Sequence, residues 1–123
     1  AELAFQSVAV LGELLRGRRG VTATQLTDLY LARIRTHDPV LKAVVTVTEE
    51  RARRQARTLD AELAAGRVRG PLHGIPWGAK DLLAARGYRT TWGAGPYRDQ
   101  TIDADAEVVR RLDAAGAVLV AKL

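Results

Sequence analysis

Asp103-Ala104-Asp105-Ala106-Glu107-Val108-Val109-Arg110-Arg111-Leu112-Asp113-Ala114-Ala115-Gly116-Ala117-Val118-Leu119-Val120 joins two different periodicities. Val108, Val109 and Leu112 fall on one side at helical spacing. This predicts a short helix with Asp103 as its polar N-cap and Gly116 as its stop. After the glycine, Ala117 to Val120 is apolar without alternation, the pattern of a strand covered on both faces, as parallel strands are. A helix feeding directly into such a strand predicts an α/β architecture.

Upstream, Leu72 to Leu83 predicts an extended segment buried on both faces, with Gly74 and Gly78 admitting close neighbours and Pro76 fixing the local chain. Further back, Ala43 to Val47 is a short β-branched run that predicts a strand or extended link. The rest is helical. The first 15 residues carry Ala4, Val8, Leu11 and Leu15 on one stripe, broken by Gly17 and Gly20. Thr22 and Gln25 form a capping box for a second helix with Leu26, Leu29, Tyr30 and Ile34 inward, ended by Pro39. Thr48 caps a third, with Ala52, Ala56, Leu59 and Leu63 inward, Glu49–Arg53 and Glu50–Arg54 paired on the wet side, and Gly66 as its stop. The texture changes at Gly70-Pro71. The expected organisation is therefore an N-terminal helical region, residues 1–69, and the start of an α/β core, residues 70–123. A strand buried on both sides needs more neighbours than these elements supply, so the sheet is expected to be incomplete and the chain to be the front part of a larger domain.

The 123 residues, 47% hydrophobic and 27% charged, make a globular composition long enough for one domain. There is no cysteine, which excludes disulfides, thiolate metal sites and cysteine nucleophiles, and two histidines cannot make a multi-histidine zinc site alone. No apolar run approaches the roughly 20 residues of a membrane span, and the N-terminus lacks a basic leader, so no membrane partner and no signal peptide are expected. The net charge of +5 is spread along the chain, with one dense cluster, Arg16, Arg18 and Arg19, in an expected loop. Aromatic residues are 5% of the chain, too few for base-stacking platforms, so a nucleic-acid module is a distant reading.

Of the 19 basic residues, only Lys42, Lys80 and Lys122 are lysine. Arginine stays protonated, whereas a desolvated lysine can give up its proton, so a lysine in apolar surroundings in so arginine-rich a chain asks for a reason. Lys80 has the most apolar and glycine-rich surroundings of the three and is the candidate for a buried base. The plainer reading is a lysine paired with a carboxylate. Asp81 is poorly placed to be that partner, because adjacent strand residues point to opposite faces. Lys42 is expected in solvent. Lys122 is expected as a strand-terminal residue, or one approaching a site shared with Lys80. No convincing nucleophile accompanies the base. Ser7 is the only serine and is expected on a helix surface. Thr90 and Thr91, before Trp92-Gly93-Ala94-Gly95, are the threonines best placed to line a cleft. His73 is expected to be a structural, hydrogen-bonded residue.

Gly70-Pro71-Leu72-His73-Gly74-Ile75-Pro76, running into Lys80-Asp81, resembles the segment around the catalytic lysine of the amidase signature family. Gly87, Thr91 and Gly93 continue the likeness, as do Asp105 to Leu112 and Ala115 to Lys122. The resemblance implies an incomplete amidase signature fold, with N-terminal helices leading into a mixed sheet. It also implies a Ser–cis-Ser–Lys hydrolase of amide bonds, cytoplasmic and needing no cofactor, in which Lys80 accepts a proton from a bridging serine that activates the nucleophile. Both serines and the oxyanion loop would lie beyond this segment, so these residues alone should not turn over a small amide substrate. Ala94 stands where many members have serine, and Ala121-Lys122-Leu123 replaces the commoner Gly-Lys-Thr. Two other readings are the A subunit of a tRNA-dependent amidotransferase, the one setting in which nucleic acid is expected nearby, and a non-catalytic assembly module. Homodimer formation through the N-terminal helices is a further expectation.

Overall fold

The computed structural model describes residues 3–17 and 20–123. A 3₁₀ turn, Leu3–Phe5, precedes α1 (Val8–Arg16), α2 (Ala23–Leu41), β1 (Thr46–Val47), α3 (Glu49–Ala64), β2 (Pro76–Ala79), α4 (Glu107–Ala114) and β3 (Val118–Lys122). The three strands form one mixed sheet in the order β1-β3-β2. β2 runs parallel to the central β3, and β1 runs antiparallel to it, with Thr46 opposite Lys122.

All five residues of β3 are buried, as the unbroken apolar run predicts. One face meets α1, α2 and α3 in a core of Leu11, Leu15, Leu26, Leu31, Leu59 and Val120 with their neighbours. On the other face, Leu119 packs with Ala79, Ala85 and Val109, under α4 and the long loop after β2.

The helices keep most of their expected signals. Thr22 and Gln25 exchange both bonds of the capping box, each 3.0 Å long. Ala52, Ala56 and Leu59 are buried, and the Glu49–Arg53 pair closes at 3.1 Å.

Five local expectations are corrected. The first helix begins only at Val8, and Ser7 is its N-cap, accepting from the Val10 N–H; it is not a residue of the helix surface. α2 continues through Pro39 to Leu41. Its stop is set by Asp38, whose carboxylate takes the N–H groups of Ala43 and Val44 at 2.7 and 2.9 Å, and by Lys42 in the left-handed conformation at φ 50°. Thr48 spends its hydroxyl on the carbonyl of Leu119 at 2.7 Å instead of on its own helix, tying α3 to the sheet. Asp103 does not cap α4, which starts four residues later, and Val108 is exposed while Val109 is buried. The extended segment expected over Leu72 to Leu83 shrinks to the four residues of β2, because residues 71–74 form a turn and β2, at the sheet edge, pairs only with β3. Arg18 and Arg19 of the basic cluster lie outside the described residues.

Gly116 brings α4 back into β3 at φ +87°, and a Cβ there would sit 2.9 Å from the Cα of His73. Both effects penalise a side chain. In the intact gene product Gly116→Ala is expected to cost about 2–3 kcal/mol, read from urea unfolding. A loss below about 0.5 kcal/mol would show that this turn relaxes freely.

Candidate active site

Lys80 and Asp81 follow the C-terminal end of β2, where the Leu83 N–H closes a turn on the Lys80 carbonyl at 2.9 Å. Ala79 and Asp81 face inward and are buried, while Gly78 and Lys80 face outward and are exposed. The expectation of a dried-out Lys80 is corrected for this chain: the inward place is taken by its neighbour. The reading that Asp81 does not neutralise Lys80 agrees with the geometry, since Asp81 pairs elsewhere.

Its partner is Lys122, the last residue of β3 and fully buried. The Lys122 ammonium lies 2.8 Å from Asp81 Oδ1 and donates to the Arg89 carbonyl at 2.8 Å and to Thr90 Oγ1 at 2.6 Å. Two hydrogen bonds and one ion pair thus surround the buried ammonium group. Asp81 Oδ2 receives the Thr91 N–H at 3.1 Å and also the Thr91 hydroxyl. Burial pushes the Asp81 carboxyl up, but Lys122 and the Thr91 bonds outweigh it and hold the group below the ordinary aspartate range. The backbone of residue 81 is pinned as well: its N–H donates to the Leu123 carbonyl at 2.8 Å, and its carbonyl accepts from Trp92 at 3.1 Å.

Thr90 and Thr91 therefore belong to this network, Thr90 fully buried. Beyond them the chain turns through Trp92 and Gly93, at φ 55° and 69°, beside a shallow hollow of about 300 Å³ lined by Val45, Arg89, Thr91, Ala94 and Arg98 among others. A positive φ at tryptophan costs about 1–3 kcal/mol, and here the Trp92 N–H bond to Asp81 and a ring contact with Tyr97 at 4.8 Å accompany it. His73 is structural as expected. Its Nδ1 accepts from the Arg69 N–H at 3.1 Å, so its Nε2 carries the proton and donates to the Leu59 carbonyl at 2.9 Å.

Two features escaped sequence reasoning. One is the Asp81–Lys122 pair itself, although the argument applied to Lys80 holds more strongly for a lone lysine closing an apolar strand. The other is Arg51, which holds Asp105 through two bonds of 2.9 and 3.1 Å and Asp113 through one of 2.6 Å, joining α3 to α4 and the loop before it. No motif marks three residues so far apart in sequence.

The parallel strands β2 and β3 thus bring Lys80, the Asp81–Lys122 pair and the Arg89–Gly93 loop together at their C-terminal ends, in a mixed α/β architecture. The Amidase family profile matches residues 25–123, and the chain belongs to that family. Over 110 residues it is 44% identical to the A subunit of the glutamyl-tRNA(Gln) amidotransferase of Roseiflexus sp. (strain RS-1), covering 89% of this chain and 22% of that protein. The native peptide amidase of Stenotrophomonas maltophilia superimposes with a TM-score of 0.89 at 38% identity, over 97% of this chain and 24% of the amidase. A 6-aminohexanoate cyclic dimer hydrolase, solved with its substrate, gives a TM-score of 0.83 at 27% identity, over 99% and 24% of the two chains. The chain thus spans about a quarter of the length of the relatives it matches. Among the described residues no helix is long and apolar enough to cross a membrane.

Proposed function

We propose that this chain carries the base of a Ser–cis-Ser–Lys amide hydrolase, with Lys80 as that base. One observation supports the reading above the others: in a chain of the Amidase family, Lys80 projects outward from the C-terminal end of β2 on a backbone that is hydrogen-bonded on both sides of residue 81. Of the three lysines, Lys122 is buried with its ammonium held by Asp81, Thr90 and the Arg89 carbonyl, and Lys42 stands at the end of α2, away from the C-terminal ends of β2 and β3 where Lys80 is placed.

In this reading the neutral Lys80 amine accepts the proton of a bridging serine hydroxyl. That serine takes the proton of a nucleophilic serine as its oxygen bonds to the amide carbon. Return of the proton to the departing nitrogen releases ammonia or an amine, and water then cleaves the acyl ester by the same relay. Neither relay serine is among these 123 residues, since Ser7 is the only serine and caps α1. The substrate class is a small carboxamide. A cytoplasmic setting and self-association through the N-terminal helices complete the reading; Val8 and Val10, exposed on α1, are what such a contact would cover.

The identity to the A subunit of an amidotransferase favours a second reading, in which the released ammonia is passed on within a complex. Ammonia release from glutamine and from peptide amides by the intact gene product, purified on its own, separates the two. Turnover of peptide amides by the single protein supports the free-standing hydrolase. Turnover confined to glutamine and dependent on added partner proteins supports the amidotransferase, and no release under either condition overturns both.

A further inference from the structure

We propose that Asp81 and Lys122 are positioning residues that aim the Lys80 amine, an assignment that rests on Lys80 being the base. The buried pair is a costly way to fill space. Replacing such a pair by apolar side chains of similar volume is often neutral or stabilising, so packing alone gives little reason for it. What the pair supplies is a unique arrangement. Asp81 joins three separate pieces of chain: β2 through its own backbone, the Arg89–Trp92 loop through Thr91 and Trp92, and the end of β3 through Lys122 and Leu123. Lys122 repeats the junction from the other side through Thr90 and the Arg89 carbonyl.

Only the inward orientation of residue 81 satisfies all these bonds, and with Asp81 held there, inside the turn that the Leu83 N–H closes on the Lys80 carbonyl at 2.9 Å, the backbone that carries the exposed Lys80 is fixed on both sides. The direction in which the Lys80 side chain leaves the sheet is thereby set by groups that never touch a substrate. A base displaced by about 1 Å loses roughly two orders of magnitude in rate, so this control has a kinetic consequence. Fully buried and held by Asp81, Thr90 and the Arg89 carbonyl, the Lys122 ammonium cannot reach a substrate, which separates its role from that of Lys80.

The test uses the intact gene product and its amide substrate, with kcat and KM measured well below the Tm of each variant. Asp81→Asn and the charge-neutral double variant D81N/K122M are expected to lower kcat by about 10–100-fold while KM stays within about threefold. Asp105→Asn, which loosens the distant Arg51 cluster, serves as the control: its Tm falls while kcat stays within about twofold. Thr91→Val removes one donor to Asp81 and is expected to lower kcat severalfold; it carries the test should both Asp81 variants fail to fold. Folded Asp81 variants with wild-type kcat, or a changed KM with unchanged kcat, would overturn the positioning role. So would wild-type kcat in T91V when it alone folds. Retained turnover in K80A instead overturns the base assignment beneath it, so the two failures are distinguishable.

Discussion

Lys80→Ala in the intact gene product is expected to lower kcat for amide turnover by about 10²–10⁴-fold, the range a positioned general base supplies. Its stability should hardly change. Lys80 is exposed and takes part in no ion pair among the described residues, and substitutions at such positions stay within about 0.5 kcal/mol. Loss of kcat with an unmoved Tm is the signature that separates a chemical role from a structural one. Lys80→Arg sharpens the result. It keeps the positive charge and the length but cannot surrender a proton, so it should be as inactive as the alanine variant. An active arginine variant would mean that charge, not proton transfer, is what residue 80 provides. Steady-state kinetics beside thermal unfolding decide both points.

Lys122→Met should do the reverse, damaging the fold first. It leaves the Asp81 carboxylate buried without its cation, and breaking one side of a buried pair costs about 3–5 kcal/mol. The pH dependence follows from the sign of the Asp81 shift. In the native protein its pKa lies below the unfolded value of about 3.9, so the pair contributes stability above that pH and loses it as the pH falls through the lower folded value. In Lys122→Met the lone carboxyl is instead pushed up by burial and gains a proton more readily. The deficit relative to the native protein should therefore be largest near pH 7 and shrink towards pH 4. Urea unfolding at both values measures it. A deficit below about 1 kcal/mol, equal at both pH values, would show that the pair is inconsequential for the fold.

What the sequence made legible, and what it hid, follows from the range of the interactions involved. The buried strand Val118 to Val120, the capping box at Thr22 and the apolar stripe of α3 are recorded in neighbouring residues, and local physics places them. Pro39 misled because its helix-ending tendency was overruled by Asp38, which binds the two N–H groups beyond the helix and lets it run on. The length of β2 was overestimated because the pattern of Leu72 to Leu83 does not reveal that the strand lies at an edge. The candidate site divides in the same way. Lys80 was singled out from residue type and an apolar setting, but its exposure was hidden, because β2 ends at Ala79 and the chain turns immediately after Lys80. The partnership of Asp81 with Lys122 joins positions 41 residues apart in the chain and depends on β2 pairing in parallel with β3, which no local pattern encodes.

All of the proposed chemistry requires that Lys80 face a reacting hydroxyl. A crystal structure of the intact gene product carrying this chain would decide it at one distance. Lys80 Nζ is expected within about 2.6–3.2 Å of a serine hydroxyl, with the Asp81–Lys122 pair unchanged behind it. A Lys80 amine directed into bulk solvent, or bonded to a carboxylate with no hydroxyl in reach, would contradict the assignment.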